Sequence, residues 1–295
     1  MKIYMDLYIK VLYTLIILMK IDGKKVKSFG LLCLSITLLV SLTPSAYSGP
    51  DSPENKTLIQ PRGEQNMSTN ATNIVLVHGG WADGSGWSKE IPTLIEEGHR
   101  VIAVQLPTHS LSDDVETVKR AVELVGGPTI LVGHSYGGEV ITNAGYNNPN
   151  VTGLVYIAAF APDEGQSLSS FVDPAKFPKD LFIVDSGGFI YLNPQLFRES
   201  FANDVDPAEA KVMSIVQKPF NQSIFGEKSG PPAWKQLPTW YQISEADHMI
   251  PPDVQRLFAE RMNATTLSLN ASHASYVSHP NEIAELILNA TKGSN

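Results

Sequence analysis

The stretch "ILVGHSYGGEVITNAG", Ile130 to Gly145, places a serine between glycines, directly after a β-branched apolar run and directly before a helical pattern. Its centre, Gly133-His134-Ser135-Tyr136-Gly137, has the form G-x-S-x-G. In a tight turn from strand to helix the serine takes strained backbone angles, so the residues two positions away must lack bulk. We predict that this turn exposes the Ser135 hydroxyl as a nucleophile; the alternative is an ordinary turn, since glycine and serine favour turns.

The remainder of the chain alternates apolar runs with helical patterns. Four runs precede a break in the rhythm: "NIVLVHG", "RVIAVQL", "TILVGHS" and "VTGLVYIAAF"; two follow it, "TWYQIS" and "ATTLSLN". The runs are continuous rather than alternating, which is typical of strands buried on both faces of a parallel sheet with helical crossovers. The break, at about residues 161–238, is predicted to be a cap, because insertions of this length are more often functional than linking.

A serine needs a base to take its proton, and the base needs a third group to orient it. Among seven histidines, His273 is best placed, because it follows the last strand and precedes the last helix, on the same sheet edge as Ser135. Glu245, Asp247 and Asp253 follow the strand "TWYQIS". Asp247 lies in the loop itself and is the predicted acid, with Glu245 as the second candidate, whereas Asp253 fits a capping role at a helix start. The order serine, aspartate, histidine is the one used by hydrolases with this turn.

Two backbone N–H groups are predicted to bind the oxyanion. One belongs to Tyr136, directly after the serine, and the other to Gly80 in the loop "HGGW", where no side chain obstructs the approach. The same loop can alternatively be only a tight turn. Trp81 and Phe160 are predicted to contact the substrate, with packing alone as the alternative for Trp81. About half of the ten aromatic residues of the cap are predicted only to hold the cap on the sheet.

At this point the residues resemble a family. The segments "IVLVHGGWADGSGW", "GHSYGG", "LVYIAAFAPDEGQS" and "SHASYVSHPNEIAELI" are similar to the α/β-hydrolase superfamily, in particular to the branch of plant methyl esterases, hydroxynitrile lyases and bacterial serine esterases. The resemblance implies an α/β-hydrolase fold, a mostly parallel sheet with helices on both faces and a cap inserted after the sixth strand. It also implies Ser135, Asp247 and His273 as the triad and Gly80 and Tyr136 as oxyanion donors. The lyases have lysine and threonine where this chain has Ala274 and Gly79, so cyanohydrin cleavage is not expected.

The N-terminal part predicts export. Lysines precede the apolar run "FGLLCLSITLLVSL", and small residues follow it, which is the order of a secretory signal. We interpret residues 1–48 as this targeting segment, with Met19 as an alternative start, residues 49–71 as a flexible polar tether and residues 72–295 as the hydrolase domain. The expected location is periplasmic or extracellular, with no stable membrane anchor after signal removal; a membrane-tethered form that keeps the segment is the alternative.

Charge narrows the classes of partner. Residues 1–48 hold six lysines and two aspartates, and their removal leaves 16 basic and 28 acidic residues, a net charge of −12. An acidic body without a basic stripe argues against nucleic acid as a partner. No H-E-x-x-H pattern or cysteine cluster is present, and "DGSGWSK" lacks the third glycine of a dinucleotide loop, so we predict neither a metal nor a cofactor. The oligomeric state is left open.

The predicted activity is hydrolysis of a small-molecule carboxylic ester or lactone through an acyl-enzyme intermediate. Two alternatives remain: a ligand-binding protein that keeps the triad with little turnover, and cleavage of an amide or C–C bond by the same triad.

Overall fold

The computed structural model describes residues 72–293. The predicted targeting segment and tether, residues 1–71, and the last two residues lie outside the described part. The main sheet has six strands: β1 Asn73–Val77, β2 Val101–Ala103, β3 Thr129–His134, β4 Val151–Ile157, β8 Thr239–Ser244 and β9 Thr265–Leu269. Their order across the sheet is β2-β1-β3-β4-β8-β9, and every pairing between neighbours is parallel. The predicted α/β-hydrolase fold is confirmed.

Burial follows position in the sheet. The inner strands β1, β3 and β8 are buried at every residue, and β4 at all but one, which explains their continuous apolar sequences. The edge strands β2 and β9 are half-buried or exposed, and β9 is correspondingly rich in threonine and serine.

Helices cover both faces of the sheet. They are α1 Ile91–Glu96, α2 Leu111–Val125, α3 Tyr136–Ala144, α4 Phe197–Phe201, α5 Pro207–Val216, α6 Pro252–Arg261, α7 Ser275–Ser278 and α8 Pro280–Gly293. Tyr156 of β4 lies against Gly138 of α3, whereas Gly153, three residues earlier and on the other face of β4, lies against Trp240, which contacts Gly293 of α8. Because side chains alternate along a strand, α3 and α8 lie on opposite faces.

The cap connects β4 to β8. It contains an antiparallel sheet of β5 Phe182–Val184, β6 Phe189–Leu192 and β7 Phe220–Asn221, together with α4, α5 and short 3₁₀ turns. The cap therefore follows the fourth strand, not a sixth, because within residues 72–293 no strand precedes Asn73. In this same part of the chain, no helix is long and apolar enough to cross a membrane.

Candidate active site

Ser135 lies in the sharp turn between β3 and α3. Its backbone angles, φ 52° and ψ −124°, are in a region that residues with a side chain rarely adopt. The flanking glycines make the turn possible: a Cβ on Gly133 would lie 2.5 Å from the Gly137 carbonyl oxygen, and a Cβ on Gly137 would lie 2.6 Å from that of Val77. The glycines of the G-x-S-x-G pattern are thus required by close packing, as the sequence predicted.

His273 and Asp247 form a buried pair at the same sheet edge. Asp247 follows β8 and His273 follows β9, so both lie beyond the carboxyl ends of their strands. His273 Nδ1–H donates to Asp247 Oδ2 at 2.7 Å, and the two residues are 1% and 5% exposed. The opposite ring nitrogen, Nε2, is buried and has no hydrogen-bond partner within the described residues. Because the carboxylate fixes the proton on Nδ1, Nε2 is left as a proton acceptor.

Three further donors hold Asp247. Its Oδ1 accepts the backbone N–H groups of Met249 at 2.7 Å and Ile250 at 2.9 Å, and Oδ2 also accepts Gln255 Nε2 at 2.8 Å. Gln255 is fully buried and accepts the Ser244 N–H through its own oxygen at 2.9 Å. This glutamine was missed by the sequence analysis.

The alternative acids have other partners. Glu245 is paired with Arg256 and accepts the hydroxyl of Ser268 on the protein surface, and these contacts, the Ser268 hydrogen bond first, lower the pKa of its carboxyl group. Asp253 lies in the first turn of α6, where a carboxylate interacts favourably with the helix dipole. Of the three candidates, Asp247 is the one bonded to His273.

His134, which precedes Ser135 in the turn, contacts His273 through a hydrogen bond and through its ring. Its Nε2–H donates to the His273 carbonyl oxygen at 2.8 Å, and the two ring centroids are 4.7 Å apart. Burial, reinforced by the neighbouring His273, lowers the pKa of His134 well below its ordinary value, so this imidazole stays neutral. His134 therefore has a structural role, in which it fixes the backbone carbonyl of His273.

His78, at the end of β1, orients the loop that carries Gly80. The Leu106 N–H donates to His78 Nε2 at 3.0 Å, so Nδ1 carries the proton and donates to the Gly79 carbonyl oxygen at 2.8 Å. Burial lowers the pKa of His78 to about 4, which keeps this neutral tautomer across the physiological range. The Gly79 C=O and the Gly80 N–H belong to one trans peptide group, in which the two bonds point in opposite directions. Because the C=O points toward His78, the Gly80 N–H points away from it.

The two predicted oxyanion donors meet at one cavity. Tyr136 is the first residue of α3, and the N–H groups of a first helical turn have no partner inside the helix. Tyr136 and Gly80 both line the cavity that also contains Ser135 and His273. The arrangement thus groups a hydroxyl, an imidazole nitrogen and two residues with N–H donors around one space.

The cavity is narrow and apolar. Its volume is about 30 Å³, so a bulky ligand needs the surrounding rings to move. Trp81 and Phe160, the predicted substrate contacts, both line it. Four of the ten aromatic residues of the cap line it as well: Phe177, Phe182, Phe220 and Phe225. The rest of the wall is formed by Leu168, Val172, Met249 and Ile250.

Neither the cavity nor the rest of residues 72–293 contains a cluster of three or more His, Cys, Asp or Glu side chains suited to a metal ion.

A parallel sheet that carries a strained serine turn and a histidine–carboxylate pair at its carboxyl edge is typical of one class of hydrolases. In this class the strand–serine–helix turn is called the nucleophile elbow. The model of the alpha/beta hydrolase family matches residues 74–286, and the chain belongs to this family.

The relatives include esterases from bacteria and plants. A pyrethroid hydrolase from Sphingobium wenxiniae is 30% identical over 245 residues, which cover 73% of this chain and 86% of that protein. Polyneuridine aldehyde esterase from Rauvolfia serpentina is 23% identical over 248 residues, covering 73% and 94%. The crystal structure of a pyrethroid hydrolase from Sphingobium faniae superposes with a TM-score of 0.65 at 27% identity, covering 75% of this chain and 98% of that one. The predicted resemblance to plant and bacterial esterases is confirmed.

Proposed function

We propose that this protein is a serine esterase that cleaves uncharged carboxylic esters through an acyl-enzyme intermediate. One observation carries the proposal: the buried His273–Asp247 pair leaves His273 Nε2 without a partner among the described residues, and His273 lines the same cavity as the strained Ser135. Esterases among the relatives support the same reaction class.

In the proposed mechanism, Ser135 Oγ attacks the ester carbonyl carbon while His273 Nε2 takes the hydroxyl proton. Asp247 stabilises the resulting imidazolium, and the backbone N–H groups of Gly80 and Tyr136 donate to the oxyanion. His273 then protonates the leaving-group oxygen, which departs as the alcohol and leaves Ser135 acylated. Water attacks the acyl group while His273 takes its proton, and His273 returns that proton to Ser135 Oγ as the carboxylic acid is released.

The lining of the cavity favours an apolar substrate. Its walls are aromatic and aliphatic, and among residues 72–293 the charged or hydroxyl side chains that border it are those of Ser135, Tyr136 and His273. A charged acyl or alcohol group would be desolvated there without a partner. A relative from Nocardioides is named a carbendazim hydrolyzing esterase and one from Sphingobium wenxiniae a pyrethroid hydrolase, and both names support a small-molecule ester as the substrate of this chain.

Cyanohydrin cleavage is disfavoured by position 79. A Cβ on Gly79 would lie 2.6 Å from the Ser135 Cβ, so the threonine of the lyases has no room unless Ser135 moves. This supports the expectation drawn from the resemblance.

The test is hydrolysis of p-nitrophenyl esters, from acetate to octanoate, by the wild type, by Ser135→Ala and by Ser112→Ala. Ser112 is an exposed serine of α2 and serves as the matched control. We expect multiple turnovers by the wild type and the control, and a loss of kcat by a factor of about 10³ or more in Ser135→Ala. Equal rates in Ser135→Ala, or no turnover with any ester, would reject the esterase and favour the ligand-binding alternative.

Export to the periplasm or the extracellular medium is a separate proposal that depends on residues 1–48 alone. N-terminal sequencing of the mature protein tests it. A start near Gly49 in the secreted fraction is expected, and an intact N-terminus in the membrane fraction would contradict it.

A further inference from the structure

A buried carboxylate connects the cap with the serine turn. Asp114 of α2 is fully buried, and its two oxygens have different partners: Oδ1 accepts the Thr108 N–H at 2.9 Å, and Oδ2 accepts the Tyr136 hydroxyl at 2.7 Å. We propose that Asp114 is a positioning residue that couples the placement of the cap to the oxyanion-binding groups. The inference rests on the proposed ester hydrolysis, because it assigns the residue a part in that reaction.

Thr108 fixes the cap strand β7. Its carbonyl oxygen accepts the Asn221 N–H at 3.1 Å, and its hydroxyl shares its proton between the carbonyl oxygens of Pro107 at 2.6 Å and Pro219 at 2.8 Å. The contacts with Pro219 and Asn221 lie on either side of Phe220 in the sequence. Thr108 itself has a φ of 58°, a conformation that needs external support in a β-branched residue. The hydrogen bond from the Thr108 N–H to Asp114 supplies such support. Asp114 therefore restrains Thr108, and Thr108 restrains the segment that carries Phe220.

Phe220 in turn packs against both residues that carry the predicted oxyanion donors, Gly80 and Tyr136. Its ring meets the Tyr136 ring edge-on with centroids 4.9 Å apart, and a Cβ on Gly80 would lie 3.2 Å from its Cδ2 atom. The Trp81 ring, next to Gly80 in the chain, is 5.7 Å away. A shift of β7 therefore moves the side chain that packs against Gly80 and Tyr136. Asp114 acts on Tyr136 twice, directly through its hydroxyl and indirectly through Phe220.

A contribution to stability alone does not account well for this carboxylate. Burial raises the pKa of Asp114 to about 6, even though the hydrogen bonds from Thr108 and Tyr136 and the charge of Lys218 act to lower it. A buried ionisable group without a tight ion pair is costly to desolvate, and the hydrogen bonds from Thr108 and Tyr136 offset that cost only in part. A buried carboxylate like that of Asp114 is expected where the geometry of a site matters more than its contribution to stability.

The test compares Asp114→Ala, Asp114→Asn, Tyr136→Phe and the double variant Asp114→Ala/Tyr136→Phe, with Asp113→Ala as the matched control. Asp113 is the exposed neighbour in the same helical turn. Active sites are counted with a fluorophosphonate, so that kcat refers to folded enzyme. With p-nitrophenyl acetate, which is too small to depend on most cap contacts, we expect kcat in Asp114→Ala to fall about tenfold or more while KM changes less than about threefold.

Two readouts separate positioning from a merely structural role. Asp114→Asn keeps an oxygen for the Thr108 N–H and an amide for the Tyr136 hydroxyl, so it should recover most of the lost kcat. Because Asp114 and Tyr136 act through one chain of contacts, the double variant should be about as slow as Asp114→Ala, not slower by the product of the two effects. A kcat per active site in Asp114→Ala within twofold of the wild type would overturn the proposal, whatever the melting temperature. If Asp114→Ala does not fold, Tyr136→Phe, which removes one hydroxyl, must itself lower kcat, and an unchanged kcat overturns it.

Hydrogen exchange makes the outcome independent of turnover. The Asn221 amide, bonded to Thr108, should exchange faster in Asp114→Ala than in the wild type or in Asp113→Ala. Faster exchange in a protein that hydrolyses no ester would refute the esterase and retain the link between Asp114 and the cap. Unchanged exchange would refute that link, whichever way the esterase assay reads.

Discussion

Replacing Asp247 with asparagine is the sharpest test of the proposed mechanism, because the structure defines how the new side chain must sit. The Met249 and Ile250 N–H groups require an acceptor at the position of Oδ1, so the asparagine oxygen stays there and its NH₂ group takes the place of Oδ2. That NH₂ group then faces two former donors, His273 Nδ1–H and Gln255 Nε2. His273 escapes the conflict by accepting at Nδ1 and carrying its proton on Nε2.

A histidine in this tautomer cannot take the proton of Ser135. The expected loss of kcat is about 10³- to 10⁴-fold, the range in which an acid-to-amide change disrupts a triad while the fold is retained, or ~4–5.5 kcal/mol of transition-state stabilisation. The fold should survive because two of the four hydrogen bonds to the side chain are unchanged. The assay is steady-state hydrolysis of p-nitrophenyl acetate, with the melting temperature as a check of folding.

Glu245→Gln is the matched control, since Glu245 was the second candidate acid. Its carboxylate contacts Arg256 and Ser268 outside the cavity, so kcat should stay within about twofold of the wild type. The reasoning fails if Asp247→Asn keeps more than about a tenth of wild-type kcat, or if Glu245→Gln shows the large loss instead.

Three further changes have defined outcomes. Gly79→Ala places a Cβ 2.6 Å from the Ser135 Cβ, so we expect a loss of kcat on the order of 10²-fold and a loss of about 1–3 kcal/mol in stability, and wild-type kinetics would show that Ser135 tolerates displacement. Glu90 is buried and burial raises its pKa to about 8, so the folded protein keeps a proton that the unfolded chain loses above about pH 4.5. The free energy of unfolding, measured by urea titration, should therefore fall by several kcal/mol as the pH rises from about 4.5 to 8. Glu90→Gln should flatten that slope, whereas an equal slope in both proteins would disprove the assignment. Trp81→Phe removes the indole N–H that donates to the Ile190 carbonyl oxygen of the cap at 3.0 Å, and calorimetry should show a loss of about 1–3 kcal/mol, while an unchanged melting temperature would mean that this bond contributes nothing net.

The sequence predicted the parts of the fold and site that depend on chain order and local sterics. Continuous apolar runs identified the inner strands, and the carboxyl ends of those strands necessarily share one sheet edge. That rule is sufficient to group Ser135, Asp247 and His273, because each of them follows a strand of the same parallel sheet. The glycines of the serine turn were predictable for a similar reason, since their role is a steric one within five residues.

Contacts between distant segments were not predictable in this way, although two had a usable signal. Asp114 shares a helix face with Leu111, Val115 and Val118, and Gln255 shares one with Phe258, so each is a polar residue on an apolar stripe. Such a residue must find a buried partner. The sequence indicates that a partner exists but not which one, because Tyr136 and Asp247 reach these positions only through the tertiary fold.

Backbone strain marks the same edge of the sheet. Seven residues other than glycine have a positive φ among those described, and three of them are asparagine or aspartate, which tolerate this conformation. The other four are Trp81, Thr108, Ser135 and Ala158, which follow β1, β2, β3 and β4 in turn. Each is held at a cost of about 1–2 kcal/mol, and strain of this kind persists only where the surrounding structure over-determines it.

The restraints on these four residues come from both parts of the domain. The Ala158 N–H donates to Gln242 in the neighbouring strand at 3.0 Å, and Ser135 is bonded to Ile157 and Phe160 around it. Trp81 and Thr108, in contrast, are bonded to cap residues. The sheet thus restrains Ser135 and Ala158, while the cap restrains Thr108 and Trp81, the neighbour of the predicted oxyanion donor Gly80. Loosening β6 and β7 should therefore weaken stabilisation of the oxyanion, so that kcat falls even for esters too small to touch the cap. His273 depends on a different part of the cap, because the Phe201 carbonyl oxygen of α4 accepts the Ala274 N–H at 3.1 Å and the Phe201 ring lies 4.8 Å from the His273 ring.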